Sequence, residues 1–428
     1  MMKLMVVGGG GREHALIRML KKNPEVEKIY ALPGNGGIAQ DAQCVDIKAT
    51  DIEGVARFAA ENRIDFAVVA PDDPLAMGCV DRLHALGIPC FGPEARAAEI
   101  EASKVFSKRL MQKYGIPTAK CEVFDNAEAA LAYVRNTPAP LVVKADGLAL
   151  GKGVLICKST QEAEEAVRHT MCDHAFGKSG DRVVIEEFLE GPEVSVLAFT
   201  DGKAMVPMVS SMDHKRAHDG DTGLNTGGMG TIAPNPFYTP DVAERCMREI
   251  FLPTMQAMNA EGRTFKGCLY FGLMLTKDGP KVIEYNCRFG DPETQVVLPL
   301  LDTDLLTIMR AVEEERLSEV DVRFKGGAAC CVILASGGYP EAYEKGKAID
   351  LGGADALKDT WVFHSGTAVK DGQLVTSGGR VLGVTATGDT LKTAIDRAYD
   401  AARRVHFDGM FMRSDIGKRA LEVEGYHG

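Results

Sequence analysis

Residues 272–295 read GLMLTKDGPKVIEYNCRFGDPETQ, and the segment KVIEYN within them has the texture of a strand. Glu284 and Asn286 lie two positions apart, so a strand directs both side chains to one face, where two oxygen ligands can hold a magnesium ion beside phosphate oxygens. Arg288 continues this face. A metal, a phosphate and a cation in a row suit phosphoryl transfer. A half-exposed strand with a salt bridge is the ordinary alternative.

Upstream, Asp213-His214-Lys215-Arg216 precedes the glycine-rich run GDTGLNTGGMG. Long irregular stretches of this kind are often functional or mobile. Lys215 and Arg216 can pair with anionic groups, and the amides of Gly227 and Gly228 can face an oxyanion. A solvated, flexible loop explains the same pattern. The only acid-base neighbour of His214 in the sequence is Asp213, so we do not interpret His214 as catalytic.

Further upstream, Gly147–Gly153 (GLALGKG) superficially resembles a Walker A loop. It is one residue short between glycines, and Gly153 stands where Ser or Thr should bind magnesium. The flanking strands LVVK and VLIC instead predict a hairpin whose tip can close over phosphates, with Lys144 and Lys152 supplying charge. A plain surface hairpin is the alternative.

At the start of the chain, the strand KLMVVG runs into Gly8–Gly11 and a helix expected over about 12–22. A dinucleotide-binding fingerprint fails here, because the third glycine position falls on Glu13 or His14 and the second strand ends KIYALPG without an acid. The glycines therefore indicate a tight turn, a phosphate-binding loop, or both.

The pattern of predicted strands and helices divides the chain into three regions. Residues 1–103 alternate strands and helices (KIYAL, a helix near 52–62, FAVVA, GIPCFG), as expected of a Rossmann-like parallel sheet with covering helices. Residues 104–325 begin with the helix KVFSKRLMQKY and continue as α+β, with strand pairs around LVVKADGLALGKGVLIC and VVIEEFLEGPEVSVLAFT that we expect to be antiparallel. Residues 326–428 combine short strands with one amphipathic helix, whose apolar positions are Leu391, Ala394, Ile395, Ala398 and Val405.

Composition narrows the class of protein. The 428 residues are 45% hydrophobic, which is enough for several cores. A net charge of -11 disfavours nucleic acid as a partner. The opening apolar stretch is too short for a signal peptide or a membrane span. The 11 scattered cysteines contain no CxxC pair and fit reduced thiols in a cytoplasm.

In order along the chain, these motifs resemble the ATP-grasp ligases. The resemblance rests on GGGGREHA, PGNGG, SKVFSKRLMQKYGIPTA, VVKADGLALGKGV, EEFLEGPEVSV, DHKRAHDGDTGLNTGGMG and residues 272–295. It implies a Rossmann-like N-terminal domain (1–103), a central ATP-grasp fold (104–325) with a mobile lid at about 120–192, and a small α+β C-terminal domain (326–428). It further implies an ATP-dependent carbon–nitrogen ligase of purine biosynthesis that joins glycine to 5-phosphoribosylamine through glycyl phosphate.

The resemblance also assigns roles to residues. The positions expected to contact ATP are Lys104, Lys144, Gly151, Lys152, Gly153, Glu186, Glu187, Phe188, Leu189 and Glu193. Glu284 and Asn286 are expected to bind Mg²⁺ or Mn²⁺, and Arg288 and Lys144 to stabilise the reacting groups. The positions expected to contact the other substrates are Gly9, Gly10, Gly11, Arg12, Asp213, Lys215, Gly227, Gly228 and Arg288.

Two departures from the family pattern stand out. Asp72 replaces the Glu of V-G-P-E-x-P-L, which puts any substrate contact there in doubt, and Thr231 replaces the usual Ala, which we interpret as packing. Another ATP-grasp ligase with a different acid or amine, a nucleotide-binding sensor and a dinucleotide-binding protein remain alternatives. We expect a cytoplasmic monomer that binds neither nucleic acid nor membrane.

Overall fold

The N-terminal region forms a parallel five-stranded sheet in the order β3-β2-β1-β4-β5, covered by helices. The computed structural model describes residues 1–148 and 153–423. Its strands here are β1 (Met2–Gly8), β2 (Val26–Pro33), β3 (Gln43–Cys44), β4 (Phe66–Val69) and β5 (Cys90–Phe91). The helices are α1 (Gly11–Leu20), α2 (Ile52–Glu61), α3 (Asp72–Ala76), α4 (Cys79–His84) and α5 (Ala95–Ala102). Leu4–Val7 are fully buried, as expected of a strand covered on both faces.

The helix α6 (Lys104–Tyr114) connects this sheet to the next unit, and its bounds are those predicted from KVFSKRLMQKY. The Ser103 hydroxyl accepts a hydrogen bond from the backbone N–H of Phe106 at the N-terminus. Gly115 ends the helix with φ +67°, a conformation that glycine adopts at little cost.

The following unit, which we name the lid, is an antiparallel four-stranded sheet in the order β6-β9-β7-β8 with two helices against it. It comprises β6 (Cys121–Phe124), α7 (Ala127–Asn136), β7 (Leu141–Ala145), β8 (Val154–Cys157), α8 (Thr160–Val167) and β9 (Val183–Glu187). Its own apolar core includes Leu131, Val143 and Ile185. The predicted hairpin of β7 and β8 is confirmed, whereas its tip, 149–152, lies outside the described residues.

The central sheet is antiparallel in the order β11-β10-β16-β17. The elements of this region are β10 (Glu193–Thr200), β11 (Met205–Pro207), β12 (Met212–Asp213), β13 (Arg216–His218), β14 (Thr222–Asn225), β15 (Gly230–Ala233), α9 (Pro240–Cys246), α10 (Leu252–Ala260), β16 (Gly267–Thr276), β17 (Gly279–Asn286), α11 (Thr294–Val297) and α12 (Leu305–Glu313).

One predicted pairing is wrong. VVIEEFLEGPEVSVLAFT is not a strand pair, because β9 belongs to the lid and β10 to the central sheet. Gly191 has φ +150°, and the carbonyl of Pro192 accepts a hydrogen bond of 3.0 Å from the N–H of Leu275. The chain therefore leaves one sheet at Glu187 and enters the other beside β16.

The C-terminal sheet has the order β12-β15-β18-β22-β19, with β23 paired to β18. The elements are β18 (Ala328–Ser336), β19 (Thr360–His364), β20 (Thr367–Lys370), β21 (Gln373–Thr376), β22 (Arg380–Gly388), α13 (Leu391–Ala402), β23 (Met410–Phe411) and α14 (Lys418–Leu421). The predicted helix is present as α13, although Val405 lies beyond its end. Because β15 pairs with β18, this sheet joins segments from both sides of the expected boundary at 325/326, which itself remains a prediction.

Contacts between distant segments fix the N-terminal and C-terminal sheets to each other. The Asn35 amide donates hydrogen bonds to the carbonyls of Gly9 (2.9 Å) and His364 (2.8 Å). The N–H of His364 donates to Nδ1 of the buried His14, whose Nε2 lies 3.1 Å from Asp41. Within 1–148 and 153–423, no helix is long and apolar enough to cross a bilayer.

Candidate active site

A cavity of about 1100 Å³ opens between the lid, the central sheet and the C-terminal sheet. Fifteen of the predicted site residues line it: Arg12, Lys104, Lys144, Gly153, Glu186, Glu187, Phe188, Leu189, Glu193, Asp213, Lys215, Gly227, Glu284, Asn286 and Arg288. Gly9, Gly10, Gly11 and Gly228 are not among the lining residues. Gly151 and Lys152 lie outside the described residues.

The end of β17 presents the predicted metal ligands to this cavity. Glu284 and Asn286 stand opposite Gly272 and Tyr270 of β16, on one face of the strand. Burial would raise the pKa of Glu284, but the surrounding cations, foremost Lys215 and Lys144, lower it below its usual range. The carboxylate is therefore ionised and ready to accept a cation at neutral pH.

Lys104 reaches the cavity because the end of β7 is tied to the start of α6. One carboxylate oxygen of Asp146 accepts hydrogen bonds from the Ser103 hydroxyl (2.9 Å) and from the N–H of Val105 (2.8 Å). The Lys104 ammonium donates to the carbonyl of Gly147 at 2.9 Å. Burial lowers the pKa of Lys104, while Glu284 acts in the opposite direction.

Lys144 takes part in a buried ion triad among the residues that line the cavity. Its ammonium lies 3.0 Å from one carboxylate oxygen of Glu186 and 3.1 Å from the carbonyl of Ile283. The second carboxylate oxygen of Glu186 lies 3.0 Å from the ammonium of Lys108. All three side chains are at most 5% exposed. The sequence analysis expected Glu186 to contact ATP, and in the structure its side chain pairs with two lysines.

Charged groups also connect the hinge between β9 and β10 to the metal-binding face. The Lys215 ammonium lies 3.6 Å from carboxylate oxygens of both Glu193 and Glu284. These two acids raise the pKa of Lys215. Lys215 thus lies between Glu193, which is expected to contact ATP, and Glu284, an expected metal ligand.

Arg288 lies just past the end of β17 and is held by an acid from α5. Its guanidinium donates to Glu101 at 3.0 Å and to the side-chain oxygen of Asn286 at 3.4 Å. Asp72 also lines the cavity and adds to the negative field around Arg288. Arg288 lies beyond the strand whose face it was expected to continue, but it lines the same cavity as Glu284 and Asn286.

The N-terminal glycine turn lies against carboxylates. Glu13 accepts a hydrogen bond from the N–H of Gly10 at 2.6 Å, and Asp291 accepts one from the N–H of Arg12 at 3.2 Å. Two amides at the start of α1 are thus already paired, and Arg12 alone of the four predicted residues reaches the cavity. A substrate contact by Gly9–Gly11 remains a prediction.

The DHKR segment contributes an acid and a cation, and its histidine is structural. The N–H of Gly417 donates to Nε2 of His214, so Nδ1 carries the proton that bonds the carbonyl of Gly230. Burial lowers the pKa of His214 to about 4, which keeps the ring neutral. This agrees with our decision not to assign it a catalytic role.

Thr231, which stands where the family usually has Ala, contacts Asp213 through its hydroxyl group. Thr231, opposite Asp213 in the sheet, donates its hydroxyl to the Asp213 carboxylate at 3.4 Å. Our interpretation of Thr231 as packing alone is therefore incomplete. The carbonyl of Gly227 meanwhile accepts a hydrogen bond from Arg380 at 2.8 Å.

The site chemistry fits a divalent cation bound together with a nucleotide. A carboxylate and an amide oxygen are ligands that hard cations prefer, and Mg²⁺ is commonly held by one or two side chains plus substrate phosphates. Among residues 1–148 and 153–423, no group of three or more His, Cys, Asp or Glu is placed so that it could hold a metal ion.

Comparison with known families settles the class of the molecule. Three phosphoribosylglycinamide synthetase profiles match it in order: the N domain over residues 2–101, the ATP-grasp (A) domain over 102–294 and the C domain over 329–419. The chain belongs to the phosphoribosylglycinamide synthetase family. It is an ATP-grasp enzyme, and enzymes of this fold use ATP with a divalent metal.

Individual relatives agree over the full length. The phosphoribosylamine–glycine ligase of Brucella melitensis is 48% identical, over 99% of both proteins. The crystal structure of the phosphoribosylamine–glycine ligase of Thermotoga maritima superimposes with a TM-score of 0.85 at 35% identity, covering 97% of this chain and all of that one. The biotin carboxylase domain of Hydrogenobacter thermophilus 2-oxoglutarate carboxylase, solved with MgADP, has a TM-score of 0.72 at 18% identity, covering 96% and 92% of the two chains, and supports the fold alone.

The sequence analysis did not identify several residues that line the cavity: Glu101, Lys108, Asp291, Glu293 and Arg380. Asp291 and Glu293 belong to the quoted motif FGDPE, so their acidic side chains beside Arg288 were an available signal. Lys108 lies four residues after Lys104 on the same helix face, a spacing that also could have been used. Nothing local marks Glu101 or Arg380, because their partners are more than 85 residues away in sequence.

Proposed function

We propose that this chain joins glycine to 5-phosphoribosylamine in the cavity described above, forming glycinamide ribonucleotide, ADP and phosphate for purine biosynthesis. The observation that carries the proposal is the face of β17, where Glu284 and Asn286 meet the ammonium groups of Lys104, Lys144 and Lys215 and the guanidinium of Arg288 in one cavity. Such a concentration of cations around a metal-binding carboxylate suits the charge that develops during phosphoryl transfer.

The reaction takes two steps. In the first, a carboxylate oxygen of glycine attacks the γ-phosphorus of ATP, the bond to the bridging oxygen breaks, and glycyl phosphate and ADP result. In the second, the neutral amine of 5-phosphoribosylamine attacks the acyl carbon, the acyl–oxygen bond breaks, and phosphate leaves while the nitrogen loses a proton. Lys104, Lys144 and Arg288 offset charge on the transferred phosphoryl group, and the lid excludes water from the acyl phosphate.

The residues present fit a bound divalent cation, with Glu284 and Asn286 as its protein ligands. When bound, Mg²⁺ or Mn²⁺ supplies a positive charge that neutralises phosphate oxygens. The ionised Glu284, paired at 3.6 Å with Lys215, supports this assignment.

For the nucleotide, we place the adenine at the hinge formed by Glu186, Glu187, Phe188 and Leu189, with Glu193 at the ribose. Lys104, Lys144 and Gly153 would contact the phosphates, as would Gly151 and Lys152, which lie outside the described residues. We place the amine and acid substrates against Arg12, Asp213, Lys215, Gly227, Gly228 and Arg288, with Gly9, Gly10 and Gly11 behind them. The supporting observation is that most of these positions share one cavity.

Composition supports the remaining parts of the proposal. The net charge of -11 argues against nucleic acid as a partner, and eleven cysteines without a disulfide suit a reducing cytoplasm. All residues in the proposed mechanism come from one chain, which supports a monomer as the active form.

Glu284→Gln tests the site most simply, because it removes one charge and one ligand and preserves shape. We expect turnover to fall by about 100-fold or more, with the unfolding midpoint nearly unchanged. ADP release would be measured against magnesium concentration, with Glu128→Gln on the exposed face of α7 as the matched control. Near-normal turnover with an unchanged magnesium dependence would remove Glu284 from the metal site.

A further inference from the structure

One acid, Glu101, holds the segment that carries Arg288, and it lies near the end of α5 in the N-terminal region. One carboxylate oxygen of Glu101 accepts a hydrogen bond from Nη2 of Arg288 at 3.0 Å. The other accepts one from the backbone N–H of Cys287 at 2.7 Å. Glu101 therefore fixes both the backbone and the side chain of the segment that follows β17, and a charge-assisted contact of this kind restrains a long side chain.

Glu101 and Arg288 form a buried ion pair beside the cavity that both line. The side chain of Glu101 is 7% exposed and that of Arg288 is 19% exposed. Burial raises the pKa of Glu101, while Arg288 acts in the opposite direction. Burial would lower the pKa of Arg288, but Glu101 and Asp72 raise it. Since a buried ion pair often adds little stability over apolar side chains of the same volume, its place in the cavity is its more informative property.

The guanidinium of Arg288 keeps a donor for a ligand. Nη1 donates to the carbonyl of Phe289 at 3.3 Å, and Nη2 also donates to the side-chain oxygen of Asn286 at 3.4 Å. Among residues 1–148 and 153–423, no group accepts a hydrogen bond from the buried Nε–H. A buried, charged donor without a partner suits a site that binds an anion. Arg288 can therefore donate to a phosphoryl or carboxylate oxygen in the cavity.

A short turn joins Glu101 to Lys104, the lysine placed at the phosphates. Ser103 is the cap of both α5 and α6, so this single residue separates the two helices. Its hydroxyl donates to the carboxylate of Asp146 at 2.9 Å, which ties the turn to the end of β7. The two helix ends thereby fix the spacing between Lys104 and the acid that holds Arg288.

We infer that Glu101 is a positioning residue for the ligation, and that it sets the Arg288 guanidinium in place relative to Lys104 for the transferred phosphoryl group. This inference rests on the proposed function. Phosphoryl transfer depends on cations placed where charge develops, and an error of about 1 Å in such a group lowers the rate by about 100-fold. Because Glu101 acts through Arg288, its loss should change kcat and leave the binding of ATP nearly unaltered.

Steady-state kinetics of the full chain test the inference. Glu101→Gln keeps the shape of the side chain and removes its charge, so it should lower kcat by about 10-fold or more and leave the KM for ATP within about threefold. Glu99→Gln is the matched control, because Glu99 lies on the same helix and pairs with Arg263. Neither Glu99 nor Arg263 is among the described residues that line the cavity. This control should leave kcat within about twofold of the unaltered enzyme.

A double variant separates positioning from a purely structural role. In an Arg288→Met background, Glu101→Gln should change kcat by no more than about twofold, because no guanidinium remains to be placed. Radiolabelled ATP makes the slow turnover of this background measurable. A full additional loss of kcat in the double variant, or an unchanged kcat in Glu101→Gln alone, would overturn the inference.

Glu101→Asp covers the case in which Glu101→Gln does not fold. It keeps the negative charge beside Arg288 and moves the carboxylate back by one methylene, so kcat should again fall by about 10-fold with a nearly unchanged unfolding midpoint. A kcat equal to that of the unaltered enzyme is incompatible with a positioning role for Glu101. An unaltered enzyme that does not turn over glycine with 5-phosphoribosylamine would instead refute the proposed function.

Discussion

At the scale of the residue, the glycine at position 228 allows its segment to approach Asp213 and Pro292 closely. Gly228 has φ +116°, and a Cβ built there would lie 2.6 Å from a carboxylate oxygen of Asp213 and 2.6 Å from Cδ of Pro292. Only glycine tolerates both the backbone conformation and this contact. A substitution at Gly228 therefore tests both the backbone strain at this position and the placement of Asp213.

We expect Gly228→Ala to cost about 1–3 kcal/mol of stability and to raise the KM for glycine. The control is Gly346→Ala, because Gly346 has φ +82° but no atom within 4 Å of a built Cβ. Thermal unfolding and glycine kinetics of both variants separate the two effects. Equal KM values for glycine in the two variants would show that Gly228 does not position Asp213.

Residue spacing was enough to predict that Glu284 and Asn286 share a face, because a strand fixes which side chains point the same way. Arg288 lies past the end of β17, so this rule does not place it, although it lines the same cavity. Residue spacing could not predict that Glu101 pairs with Arg288, because α5 and the end of β17 come together only in the tertiary fold. Nor could it show that Glu13 and His14, which break the dinucleotide fingerprint, turn inward: Glu13 bonds Gly10, and His14 bonds Asp41.

At the scale of the element, the lid and α6 are joined by the Lys108–Glu186–Lys144 triad. The triad connects α6, β7 and β9, and all three of its side chains line the cavity. Sequence analysis predicted α6 from the segment KVFSKRLMQKY and the β7–β8 hairpin from its two flanking strands. It mistook β9 and β10 for a pair, because a change of sheet at Gly191 has no local signature beyond a glycine and a proline.

Glu186→Gln should lower the free energy of unfolding by about 3–5 kcal/mol, because it leaves two buried lysines without their acid. Glu187→Gln is the neighbouring control: Glu187 pairs with Lys281 at 3.4 Å near the surface, and its loss should cost about 0–1 kcal/mol. Urea denaturation of both variants gives the comparison. Similar losses in the two variants would show that the triad adds no stability.

At the scale of the whole molecule, the C-terminal segment is part of the central architecture. β18 pairs with β15 on one side and β22 on the other, and Arg380 of β22 reaches the carbonyls of Gly227 and Asp291. The order of predicted strands and helices divided the sequence into three regions. It could not reveal that two of these regions share a sheet, because strands from opposite sides of the expected boundary pair only in the tertiary fold.

Buried histidines where the N-terminal and C-terminal sheets meet predict a pH dependence of stability. Burial lowers the pKa of His364 from 6.5 to about 3, and burial also lowers that of His14. Below pH 6.5 these histidines take up protons in the unfolded chain but stay neutral in the folded chain. The free energy of unfolding therefore falls as the pH falls below 6.5.

The free energy of unfolding should therefore decline from pH 7 to pH 5, with His364 contributing about 1.4 kcal/mol per pH unit below pH 6. His364→Gln should reduce that slope, as measured by urea denaturation at several pH values. Parallel pH profiles for the variant and the unaltered protein would contradict a neutral, buried His364.

The most direct test of the whole account is phosphate release from ATP by the purified chain with magnesium, glycine and freshly generated 5-phosphoribosylamine, omitting each component in turn. We expect full release only when all are present, with glycinamide ribonucleotide formed in equal amount. ATP turnover that is indifferent to glycine or to 5-phosphoribosylamine would contradict the proposed substrates and leave only the ATP-grasp fold standing.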